Sequence, residues 1–172
     1  MKPVNLFLCL LLVFASCKKN SKRADDSAKE SEYEKTEKNN SAKVSVANGV
    51  WGTVYKKEGD CMPYFGNGKS TCRQYAIQRE VRVYKYTTID DASPKSPVNG
   101  LYDKFETQLI KTTNADAAGF FEAELPNGKY TVILVEEGKL YVSGWDGKGG
   151  ISPVEVQQNK VKANLVLNRA VY

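Results

Sequence analysis

The chain has 172 residues, 41% hydrophobic and 26% charged, which suits one globular domain and excludes a multidomain machine. Its formal charge of +5 falls to a net +2 over residues 44–172, where 16 basic side chains meet 14 acidic ones. A domain so close to neutral lacks the dense basic stripe that releases counterions from nucleic acid, so nucleic acid is not expected as a partner.

The N-terminus reads MKPVNLFLCLLLVFASC: one Lys, an apolar run over residues 4–14, the small residues Ala15 and Ser16, then Cys17. About 20 apolar residues are needed to cross the hydrocarbon of a bilayer, so residues 1–16 read as a cleaved signal peptide and not as a membrane span. Phe14, Ala15, Ser16 and Cys17 resemble a bacterial lipobox, with Phe where Leu is usual. The resemblance implies that Cys17 receives a diacylglyceryl group and acyl chains such as palmitate and becomes the new N-terminus. Each buried lipid methylene contributes about 0.8 kcal/mol, so two or three chains would anchor the protein durably. The implied location is the outer membrane, with the domain facing the periplasm or the cell surface; the implied partner is the membrane itself, and no cofactor beyond this lipid is expected.

Residues 18–43 contain one aromatic, Tyr33, and no Val, Ile, Leu or Phe. With nothing to bury, the segment reads as a disordered tether, spanning about 28 Å by the scaling of flexible linkers. Asp25 and Asp26 are weak candidates for a sorting signal for surface export. Of the four cysteines, Cys9 leaves with the leader and Cys17 is lipidated, which leaves Cys61 and Cys72. In an exported protein this pair reads as a disulfide, and closing its loop stabilises by about 3 kcal/mol in the chain-entropy model. A zinc site would need further ligands, and the chain has no His. No metal is expected.

From Val44 the pattern turns to short β-rich runs divided by turn residues. Residues 50–55 form one; Val81, Val83, Tyr84 and Tyr86 mark a second; residues 108–113 form a third; Phe121, Ala123 and Leu125 alternate in a fourth, before the turn Pro126, Asn127, Gly128. Tyr130, Val132 and Leu134 predict an inward face, and Ile133 and Val135 make the opposite face apolar too, as in a well-covered central strand. Residues 153–156 follow. Val161, Ala163, Leu165 and Leu167 then alternate with Lys162, Asn164, Val166 and Asn168. Strands at this spacing, with no long amphipathic helix between them, predict an all-β antiparallel sandwich over residues 44–172, because parallel strands need crossover connections.

The stretch GFFEAELPNGKYTV over residues 119–132 has the form GxFxxxLPxGxYxV. It resembles the carboxypeptidase regulatory-like family, which implies a single Greek-key sandwich of about seven strands of the transthyretin-like (prealbumin-like) kind. Its residues have local roles: Gly119 opens a strand, Pro126 and Gly128 make a hairpin turn, and Tyr130 sets an aromatic in the core. GTVYKKEGDCMP, REVRVYKYT, ISPVEV and the closing NRAVY are similar to a subgroup of such domains in exported bacterial proteins. The resemblance spans about residues 49–172 and brings a fold without a substrate.

Catalytic candidates are few. Without His, serine and cysteine triads lack their usual base, and adjacent carboxylates such as Glu136 and Glu137 point to opposite faces of a strand. Asp90 with Asp91, and Glu122 with Glu124, read as solvated charge, and DGKGG after Trp145 reads as a turn lacking the alternate oxygen ligands of a calcium loop. An internal Lys–Asn crosslink beside Glu122 would need Asn164 or Asn168 to face inward, against the alternation. The chain is therefore expected not to be an enzyme. The remaining candidates are aromatics near loops, Trp51, Tyr141 and Trp145, with the segment between Cys61 and Cys72, as contacts for a protein or glycan partner. The expected function is a non-catalytic, membrane-anchored module that binds through its loops; the alternative is a carbohydrate-binding accessory lipoprotein of a polysaccharide uptake system.

Overall fold

The computed structural model describes residues 31–63 and 70–172. The predicted signal peptide, Cys17, Asp25 and Asp26 lie outside the described residues. The elements in chain order are helix α1 (Glu32–Lys43) and strands β1 (Gly49–Asp60), β2 (Arg73–Ala76) and β3 (Glu80–Lys85). A short 3-10 turn, Ile89–Asp91, leads into β4 (Ala92–Ser93), β5 (Leu101–Tyr102) and β6 (Lys104–Phe105). Next come β7 (Leu109–Asn114), β8 (Phe120–Glu124), β9 (Gly128–Glu136) and β10 (Lys139–Tyr141), and finally β11 (Pro153–Val156), β12 (Lys160–Lys162) and β13 (Leu165–Val171).

The fold is an all-β sandwich, with more strands than the expected seven: the last predicted run divides into β12 and β13, and β2, β4, β5, β6 and β10 form in segments where no strand was expected. In the first sheet β1 is central. One of its edges is antiparallel to β8 and then β2; the other runs parallel to β12 and then β13. The second sheet has the order β5-β10-β9-β3-β7, with β11 also on β9, and all its pairings are antiparallel. The parallel pairing of β1 with β13 corrects the purely antiparallel expectation. A parallel pair needs a crossover connection, and here the second sheet itself serves as that crossover instead of a helix.

Where β1 passes from β12 to β13, the Asn164 side-chain oxygen accepts the Thr53 N–H at 2.9 Å and the Ala163 N–H reaches the Trp51 carbonyl at 2.8 Å. A Cβ on Gly52 would stand 2.1 Å from the Ala163 carbonyl oxygen, so only glycine allows this approach. The turn at Pro126 and Gly128 is not a hairpin, which corrects that reading. β8 pairs in the first sheet and β9 in the second, so the turn carries the chain between layers.

Alternation holds where it was read. Val50, Val54, Val81, Val83, Phe121, Ala123, Leu125, Tyr130, Val132, Leu134, Leu165 and Leu167 pack as one core between the sheets. The other face of β9 is covered too, by a second cluster of Tyr84, Ala92, Tyr102, Phe105, Ile133, Leu140, Val142 and Ile151 beneath the excursion from the 3-10 turn to β6. The cysteines are bonded, Cys61 to Cys72, with Cα atoms 4.7 Å apart.

The disordered-tether reading is corrected for its described part: α1 is a helix docked on the outer face of the first sheet. Ser31 and Glu34 close a capping box at its start. Its docking is polar. The Glu37 carboxylate is met by the Tyr55 hydroxyl, the Asn164 amide at 3.0 Å and the Lys162 ammonium, and Asn40 donates to Thr53 Oγ1 at 3.0 Å and to the Ala118 carbonyl at 2.9 Å. Tyr33 lies on Tyr55 with ring centroids 5.0 Å apart. An apolar stripe was the missing signal, and this helix does not use one. No helix among the described residues is long and apolar enough to cross a membrane.

Candidate functional site

The segment after β10 folds back on itself as a closed turn. The Ser152 N–H donates to the Gly144 carbonyl at 2.8 Å and the Asp146 N–H to the Gly150 carbonyl at 3.1 Å, with Trp145 bridged to Ile151. The Asp146 carboxylate accepts the N–H groups of Lys148 and Gly150, and the Tyr86 hydroxyl donates to it at 2.9 Å. Those two backbone donors, aided by Tyr86 and Lys129, hold the Asp146 carboxyl below its usual pKa. DGKGG is thus a turn that uses its own acid as a staple. Among the described residues no group of three or more His, Cys, Asp or Glu side chains could hold a metal ion.

The turn presents Trp145, whose surface is 51% exposed, between two clefts. The first, about 580 Å³, runs past Asn99, Tyr141, Ser143, Asn168 and Arg169; the second, about 320 Å³, past Gly144, Ser152, Pro153 and Ala163. Trp145 and Ser143 line both. The clefts follow the chain from Ala163 into β13 and along its free edge to Ala170, where the sandwich is open between its two sheets.

Tyr141 forms the buried base of the first cleft, and its hydroxyl is committed. It accepts the Asn168 N–H at 3.0 Å and reaches the Asn168 carbonyl at 3.5 Å, while the Asn168 side-chain oxygen takes the Ala170 N–H at 3.1 Å. The middle of the β13 edge is thereby closed to an added strand. The Arg169 guanidinium lies over the Tyr141 ring at 5.7 Å and only 3.8 Å from Glu136, which Arg79 holds more closely at 2.8 Å. Among the described residues no carboxylate lines either cleft. Beneath the turn, burial raises the pKa of the Tyr102 phenol, which faces Trp145.

Tyr141 and Trp145 are thus brought together as predicted candidates, and Trp51 is not. It stands on the outer face of β1 beside Lys162, whose ammonium is 5.3 Å from the indole. Glu122 points out of the core and accepts the N–H groups of Ser45 and Val46, and Asn164 and Asn168 are engaged as described above. Arg169, Ser143 and Asn99 were missed by sequence reading. Nothing local marks them, because they converge from three separate segments only after the sandwich closes. No protein-family model, curated protein or solved structure matches the chain.

Proposed function

We propose that the chain is a non-catalytic lipoprotein, anchored through Cys17 at the outer membrane, whose carboxypeptidase regulatory-like sandwich binds a protein or glycan partner. The observation that carries the reading is Trp145, a half-exposed indole on a stapled turn between two clefts. An exposed aromatic held rigid loses little conformational freedom on binding, which is how aromatic anchors dominate recognition surfaces. Changing Cys17 to Ala tests the anchor. Acyl mass on the wild-type protein and detergent-phase partitioning lost in the variant are the expected results, and an unmodified Cys17 overturns it.

The second reading, a carbohydrate-binding accessory of a polysaccharide uptake system, is favoured by the blocked β13 edge. Peptide recognition by strand addition needs free backbone groups, whereas a sugar ring needs an aromatic face and scattered hydrogen-bonding side chains. Saturable binding on a glycan array, lost in Trp145→Ala, is the expected outcome, and a flat array removes this reading.

A further inference from the structure

We infer that the two clefts flanking Trp145 form one continuous trough, and that its ligand is a linear oligosaccharide lying across the indole with sugar units on both sides. The inference rests on the glycan reading of Trp145 and adds to it the shape and length of the ligand. Its basis is that the clefts share Trp145 and Ser143 as a common wall and line adjoining stretches of the same chain, Ala163 to Leu165 and Val166 to Ala170. At about 3.3 Å per residue of extended chain, that edge runs roughly 23 Å. A single sugar ring cannot fill such a length.

The chemistry of the walls selects the class. Trp145 offers an apolar face for the C–H surface of a ring. The side chains of Asn99 and Ser143 have no partner among the described residues and can bond to hydroxyls. Arg169 is held loosely by Glu136 and has donors to spare for a hydroxyl or a uronate carboxylate. An extended peptide of the same length would seek the β13 backbone, and there Tyr141 and Asn168 already occupy the N–H and carbonyl groups of Asn168 and the N–H of Ala170.

The test titrates the full chain with cellohexaose, xylohexaose, laminarihexaose and hexagalacturonate, and with the matching disaccharides. The readout is the Trp145 indole N–H resonance, with Trp51, whose indole lies beside Lys162 and lines neither cleft, as internal control. Gly144→Gln adds bulk at a residue that lines the second cleft and not the first: a Cβ there meets nothing within 4 Å, so the side chain is accommodated without a clash. At least one hexasaccharide is expected to shift Trp145 and to bind about 30-fold more tightly than its disaccharide. Trp145→Ala, which carries no reporter indole and is followed by titration calorimetry beside the wild type, should lose about 30-fold, as for a binding hot spot, and Gly144→Gln should remove the advantage of the longer chain. Equal affinities for short and long ligands, or a Gly144→Gln variant indistinguishable from wild type, overturns the continuous trough and leaves a single sugar site at Trp145 standing. A Trp145 signal silent to all eight sugars overturns both the trough and the glycan reading.

Discussion

Asn40 has none of its surface exposed, although it sits on a helix whose sequence offers no apolar stripe. Its amide nitrogen satisfies Thr53 and the Ala118 carbonyl, while its own oxygen has no partner among the described residues. Asn40→Ala would orphan two acceptors, an effect of about 1–3 kcal/mol, and the removal of an unpaired oxygen puts the expected loss at the lower end of that range. A lowered urea midpoint at unchanged slope is the expected measurement; an unchanged midpoint would mean that water replaces the amide freely. Glu37 makes a pH-dependent counterpart. Burial works to raise its pKa, but the bonds from Lys162, Tyr55 and Asn164 outweigh it and hold the carboxyl below the ordinary glutamate value. A carboxyl whose folded pKa is depressed adds stability that is complete above the unfolded value and is lost as pH falls through the folded one. The stability advantage of wild type over Glu37→Gln should therefore be full at neutral pH and shrink below about pH 4.5, as read from paired urea titrations. An advantage that stays constant down to pH 3 would show that Glu37 acts through packing alone.

At the scale of elements, α1 shows where sequence reading stopped. Residues 31–34, Ser-Glu-Tyr-Glu, carry a capping-box signature, yet without an apolar face the segment reads as a tether, because helices in small domains mostly dock by such a face. This one docks by Glu37, Asn40 and Tyr33 against Thr53 and Tyr55 of β1, the Ala118 carbonyl, Lys162 and Asn164, a partner surface visible only after folding. The strands were legible, because period-two alternation and the core they form are the same fact seen in one and in three dimensions. Their pairing was not: the Pro126 turn looks like a hairpin locally, and only the competing partners β1 and β9's neighbours decide that it crosses layers. The disulfide was legible from counting. It ties the end of β1 to the start of β2, and removing it with Cys61→Ser and Cys72→Ser together should cost about 3 kcal/mol by loop-closure entropy. Thermal unfolding of oxidised wild type against the double variant measures this. A loss well under 1 kcal/mol would mean that the β1–β2 pairing already holds the loop closed in the unfolded ensemble.

At the scale of the molecule, the two apolar clusters divide the binding trough between them. Leu165, Leu167 and Tyr141 belong to the core between the sheets, so the β13 edge and the floor of the first cleft are held there. Ile151, the bridge partner of Trp145, belongs to the second cluster, where its N–H donates to the Thr87 carbonyl and its own carbonyl accepts the Thr131 hydroxyl. The aromatic ridge and the strand edge beside it are thus fixed by different cores, on opposite faces of β9. Ile133 is the fully buried β9 residue that supports the second cluster alone. Ile133→Ala should cost about 2–5 kcal/mol, as for a large-to-small change in a packed core. Its local signature should be asymmetric: amide exchange should quicken at Ile151 and Ser152, and the Trp145 indole resonance should broaden, while β13 amides keep their protection. Leu167→Ala, of similar cost, should do the reverse. If both variants loosen the turn and the edge together, the clusters form one cooperative core, and the trough moves as a single rigid wall.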